Sequence, residues 1–151
     1  MSVCVVIRNE SEVTFLKELG LRIAVAWEES LELWIATSEK AGEDWLKELE
    51  GLGVAQIRNL SGVDRRSQVL RTAKLEWPRL LVVGKSAEAP SEDDDLRLSR
   101  NIFDDVCCQV LAIRLNRELC APDSRILVPC AGGRHSRRAL KLAHALSPLG
   151  T

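Results

Sequence analysis

Short runs that are apolar at nearly every position alternate along the chain with longer stretches whose apolar residues recur every three or four positions. The first kind predicts strands covered on both faces of a parallel sheet, and the second predicts helices with one apolar stripe. Residues 1–7, with the run SVCVVI, open as a strand and stop at Asn9, Glu10 and Ser11. From 11 to 27, Leu16, Leu19, Ile23 and Trp27 fall on one helical stripe, with Ser11 or Asn9 placed to cap it. Residues 31–37, LELWIAT, predict the next strand. In 43–52, Trp45, Leu49 and Leu52 share a helical face, and Gly53 follows where a left-handed cap residue belongs. A strand at 54–58 precedes a helix at 63–77, with Leu70, Ala73 and Trp77 on one face and Pro78 closing it. The clearest buried strand, around LLVVG, spans 79–85.

A polar stretch from Lys85 to Asp95 has no apolar period and predicts a surface loop. Helical spacing resumes at 96–107 through Leu98, Ile102 and Val106, and a strand follows at 110–114. Strands and helices alternating in this order predict an α/β fold, a doubly wound five-stranded parallel sheet, over residues 1–115. Residues 116–124, polar and containing Pro122, suit a linker, and 125–131 begins another strand. A helix with Ala139, Ala143 and Leu146 on one face follows and ends at Pro148, Leu149 and Gly150. One strand and one helix cannot bury both faces of a parallel ladder, so 125–151 reads as the truncated start of a second unit that needs a partner.

Composition narrows the function classes. With 151 residues, 46% of them hydrophobic, the chain builds a core without covalent staples. Its 21 basic and 22 acidic residues give a net charge of −1, and aromatics make up 4% with no Tyr. That leaves neither general attraction to nucleic acid or anionic lipid nor paired stacking platforms, so no nucleic-acid partner is expected. No run approaches the apolar length of a membrane span and no leader pattern opens the chain, so no membrane insertion and a cytoplasmic location are expected. Cys4, Cys107, Cys108, Cys120 and Cys130 are odd in number and lack C-x-x-C spacing. They read as reduced and mostly buried rather than as zinc or dithiol sites.

The stretch RILVPCAGGRHSRRALKLAHAL at 125–146 resembles the opening of universal stress proteins, a strand followed by V-P-x-D-G-S, then S and a helix with A-L-x-x-A. Val128, Pro129, Gly132, Ser136, Ala139, Leu140 and Ala143 match, whereas Ala131 stands where the family has Asp and Gly133 where it has Ser. Earlier, Pro78 with LLVVG and Cys108 with QVLAIR resemble that family's fourth and fifth strands. The resemblance implies an adenine nucleotide alpha hydrolase-like fold of tandem type, with 1–115 one degenerate complete copy and 125–151 the start of another. The A-G-G opening is similar to domains fused to membrane transporters. It implies a second reading, a cytosolic regulatory domain of a transporter or antiporter whose membrane domain lies elsewhere in the parent chain.

ATP-binding members of that family carry G-x2-G-x9-G-[ST] after the fourth strand. Gly84 keeps the first position here, but Ala87 takes the second, and no glycine occurs from Lys85 to Ala131. A side chain at a close-approach position keeps the backbone away from a phosphate. Glu88, Glu92, Asp93, Asp94, Asp95, Asp104 and Asp105 oppose only Lys85, Arg97 and Arg100, so the loop repels a triphosphate. The nucleotide positions that the resemblance implies are therefore present in degenerate form, as Asn9, Gly84, Ser99 and Asn101, with Gly132 and Gly133 in the second unit. No cofactor is expected, ATP or another adenine nucleotide being disfavoured.

The remaining candidates have structural explanations. The run SEDDD lacks the ligand spacing and glycine of an EF-hand, so it reads as a solvated loop with no metal. Cys107 and Cys108 point in different directions with one in the core, and His135 and His144 sit at the surface. Ser136 lacks the nucleophile elbow and reads as a helix cap. No catalytic residue is assigned. Arg134, Arg137, Arg138 and Lys141 give the last helix a basic face that suits docking on a neighbouring chain. The expected function is a non-catalytic universal stress protein-like regulatory or signalling module, self-associating as a homodimer or by tandem-domain pairing. A third reading is an ATP-binding stress protein with weak ATPase activity.

Overall fold

The computed structural model describes residues 1–8, 10–37, 49, 53–60, 64–86, 106–115 and 134–146. Within them lie β1 (Ser2–Ile7), α1 (Glu10–Trp27), β2 (Ser30–Ile35), β3 (Val54–Asn59), α2 (Arg65–Glu76), β4 (Leu80–Ser86), β5 (Gln109–Leu115) and α3 (Arg134–Leu146). The strands form one five-stranded sheet in the order β3-β2-β1-β4-β5. Every pairing is parallel, so the doubly wound α/β fold expected from the alternation is the fold observed.

This order fixes which face each connection takes. The links from β1 to β2 and from β2 to β3 step one way along the sheet, and the later links step the other way. In keeping with right-handed crossovers, α1 lies on one face and α2 on the other. On the first face α1 packs with Val3, Val5, Ile7, Leu31, Leu33, Leu80 and Val82, and Leu49 joins the same cluster. On the second, Val69 and Ala73 of α2 pack with Cys4, Val6, Trp34, Leu81 and Val83. β1 is central and buried at every position, as its uninterrupted apolar run requires.

Close approach of α1 to the sheet depends on Gly20. A Cβ there would lie 2.4 Å from Val5 Cγ2 and 2.9 Å from Leu31 Cδ1, both in the packed core. Alanine gains about 1 kcal/mol of helix propensity over glycine, whereas overpacking a core costs about 1–3 kcal/mol. Gly20→Ala is therefore expected to lose stability in chemical denaturation, and a midpoint above that of the parent chain would refute the packing argument.

α2 begins at Asp64, whose side chain accepts the Ser67 N–H at 3.2 Å, and ends at Trp77, whose backbone is left-handed at φ 50°. Sequence periodicity placed Trp77 on the buried stripe with Leu70 and Ala73. The buried positions are instead Val69 and Ala73, and Trp77 is 63% exposed because the left-handed cap turns it off the helix. β2 also ends earlier than its apolar run, at Ile35, although Ala36 and Thr37 stay buried and the Ala36 N–H donates to Ile7 O at 2.8 Å.

A latch closes the amino ends of the strands. Arg79 Nη1 donates to Glu29 Oε1 at 2.6 Å, its guanidinium lies 5.0 Å from the Trp27 ring centroid, and its N–H donates to Ser2 O. The hydrogen bond from Arg79 holds the Glu29 carboxyl below its ordinary range, and the bonds from Ser67 do the same for Asp64. Both groups have depressed folded-state values, so what they contribute is present above the unfolded carboxyl range and lost as pH falls through the folded values. Stability is expected to decline below about pH 4, and the double variant Glu29→Gln/Asp64→Asn should show a shallower decline in the same acid titration.

α3 packs along α1, and its Leu142 and Leu146 join the first-face cluster together with Leu111 and Ile113 of β5. The helix starts at Arg134, so Ser136 lies inside its first turn rather than capping it; likewise Ser11 lies inside the first turn of α1. Residues 106–108 are not helical. The linker at 116–124, the strand expected at 125–131 and the rest of the helices expected at 43–52 and 96–107 fall outside the described residues. Among the described residues no helix is long and apolar enough to cross a membrane.

Candidate functional site

In open α/β sheets ligands bind beyond the carboxyl ends of the strands, where neighbouring strands send the chain in opposite directions. Here that point lies between β1 and β4, which pair from Val3 with Leu80 to Val6 with Val83. The residues beyond this pairing are Ile7 and Arg8 on one side and Gly84 on the other.

Among the described residues, Arg8 spans this point. Arg8 Nη2 donates to the carbonyl of Gly84, bridging from the end of β1 to β4. The same nitrogen lies 3.4 Å from Glu12 Oε1, and the Arg8 backbone N–H donates to Glu12 Oε2 at 3.0 Å. The Glu12 side chain is 1% exposed and that of Arg8 13%, so the ion pair is largely out of water. Glu12 stands in the first turn of α1, where unpaired N–H groups and the helix dipole favour an anion. Its carboxylate is engaged by the backbone N–H and the guanidinium of Arg8.

Of the residues singled out from sequence, Gly84 is buried at the switch point. Asn9, Ser99, Asn101, Gly132 and Gly133 lie outside the described residues. Arg8 and Glu12 were not anticipated. Their signal was a basic residue ending an all-buried strand with a carboxylate four positions later, across the strand-to-helix turn.

The described cysteines are free: Cys4 is buried, Cys108 half-buried and Cys107 exposed. Burial pushes the Cys4 thiol up to about 12, despite a contact with Ser2 Oγ at 3.4 Å, and raises Cys108 as well. A thiol kept neutral is a poor nucleophile. Brief alkylation of the native chain at pH 8, read by peptide mass mapping, should label Cys107 well before Cys4; equal labelling would refute the assignment. His144 is exposed, as expected.

These features define a doubly wound α/β domain in which Arg8 spans the switch point between β1 and β4. Among solved structures, a universal stress protein in complex with cAMP has a similar fold, with a TM-score of 0.50 and 18% sequence identity over 75% of this chain and 97% of that one. No protein-family model matches the chain, and no curated protein matches it.

Proposed function

We propose that the chain is a non-catalytic regulatory module of universal stress protein-like fold whose nucleotide crevice is closed, and which acts by associating with a second copy or a tandem neighbour. The observation that carries this reading is the Arg8–Glu12 pair beside Gly84. A nucleotide phosphate at this point would have to compete with a buried carboxylate for the Arg8 guanidinium and break its bond with the Arg8 backbone N–H. The absence of glycine from Lys85 to Ala131 supports the same conclusion from the loop side. The universal stress protein of similar fold was solved with cAMP, which makes that nucleotide and ATP the two ligands to try.

Calorimetric titration of the purified chain with ATP and Mg²⁺, and separately with cAMP, is expected to give no saturable heat up to ligand concentrations on the order of 1 mM, where binding is worth only about 4 kcal/mol. Saturable binding in the low micromolar range, or nucleotide co-purifying with the chain, would overturn the closed-crevice reading.

A further inference from the structure

Cys107 and Cys108 stand where the chain bends ahead of β5, which begins at Gln109. Inside a strand, neighbouring side chains leave on opposite faces, and two adjacent thiols there could not meet. Pairing with β4 starts only at Gln109 with Leu80, so the ladder does not hold the two cysteines in that alternation. Both thiols are free. Cys107 is exposed, and Cys108 is half-buried, packing like Val110 against the second-face cluster. Neither belongs to the fully buried core, which takes Cys4 instead. The charge of Cys107 is near enough to add to the rise that burial gives the Cys108 thiol.

Cys4 cannot bridge to either of them. It pairs with Leu81, and Leu81 pairs with Val110, so β4 lies between β1 and β5. Two strand spacings make roughly 10 Å, beyond the ~7 Å between Cα atoms that a disulfide spans. Adjacent residues, by contrast, have Cα atoms about 3.8 Å apart, shorter than the ordinary disulfide span, so a bridge between them closes a small strained ring. Strain of this kind makes a disulfide easy to reduce, which suits a reversible bond rather than a staple.

We propose that Cys107 and Cys108 form a reversible dithiol site, oxidised by low-molecular-weight disulfides of the glutathione class, whose closure frees the start of β5 from the second-face cluster. Neither the nucleotide crevice nor self-association enters the proposal, so it goes beyond the function put forward above. In the first step the Cys107 thiolate attacks one sulfur of the small disulfide, forming a mixed disulfide and releasing one small thiolate. The Cys108 thiolate then attacks the Cys107 sulfur, closes the ring and expels the second small thiolate. Both protein thiols are oxidised, the small disulfide is reduced to two thiols, and the two protons pass from the protein to them. Because the second step is intramolecular, the mixed disulfide does not accumulate. Drawing Cys108 into the ring takes it from its place against the cluster, and the effect falls first on the residues that follow it in β5.

The test uses the full chain, reduced and then equilibrated with glutathione disulfide, trapped with a maleimide and digested with trypsin. The peptide between Arg100 and Arg114 carries Cys107 and Cys108 and no other cysteine. It is expected to be lighter by two hydrogens, closed to alkylation, free of glutathione, and restored to the dithiol by excess reduced glutathione. Cys108→Ser keeps the exposed thiol without its partner and should carry at least tenfold more bound glutathione than the parent chain. A pair left as thiols, glutathione stopped at Cys107 in the parent chain as in the variant, or Cys107 bridged to a cysteine of another peptide overturns the dithiol site. Should Cys108→Ser fail to fold, the mapping of the parent chain decides alone. Hydrogen exchange of amides 109–112 should be at least tenfold faster in the oxidised chain, and unchanged exchange overturns the coupling to β5.

Discussion

Replacing Glu12 with alanine is expected to lower the unfolding free energy by roughly 3 kcal/mol in urea titration at neutral pH. An exposed ion pair contributes only about 0–1 kcal/mol, and the choice between the two magnitudes turns on burial. At 1% and 13% side-chain exposure, Glu12 and Arg8 sit near the buried limit, and the substitution takes from the Arg8 charge the carboxylate that α1 supplies while its bond to the Gly84 carbonyl remains. Most of the loss comes from a largely buried cation deprived of its Glu12 partner, so the double variant Arg8→Met/Glu12→Leu should recover most of it. A single-variant loss under about 1 kcal/mol would show that water reaches the crevice and screens the pair, which would also remove the main obstacle to an entering phosphate.

The second large effect is expected at Trp34. This side chain is fully buried on the α2 face of β2, and its Nε1–H donates to Glu32 Oε2 at 3.3 Å. Glu32 lies 3.6 Å from Arg58 on β3, and Arg58 pairs with Glu76 of α2 at 3.0 Å, so the indole anchors a chain of charges tying the sheet to its helix. Trp34→Ala should cost about 3–5 kcal/mol through cavity formation. Trp34→Phe keeps much of the volume but removes the donor to Glu32, so a loss of about 1–2 kcal/mol is expected. Equal losses for the two variants would show that the hydrogen bond, and not the cavity, dominates.

The strands were legible because burial on both faces writes a run with no polar alternation, as in SVCVVI and LLVVG. Their order was not, since such runs carry no mark of which neighbour they will take; only the folded structure puts β1 between β2 and β4. The positions of the three described helices were legible, but end geometry was not. Trp77 continues the three-and-four spacing yet departs from it through a backbone angle that periodicity does not encode. At the site, Gly84 could be found because a glycine after an apolar strand is conspicuous. Arg8 and Glu12 could not, because an arginine and a glutamate four apart look like any solvated pair until the fold removes them from water.

Of the five strands, the first to be synthesised is the one that ends at the centre of the sheet. Its partner on one side, β2, follows soon after, but the other, β4, begins only at Leu80. At synthesis rates of roughly 5–20 residues per second, the emerging chain carries the bare flank of SVCVVI for several seconds before that partner exists. Nascent polypeptides of this protein should therefore engage a chaperone up to the length at which LLVVG clears the exit tunnel, and release it soon afterwards.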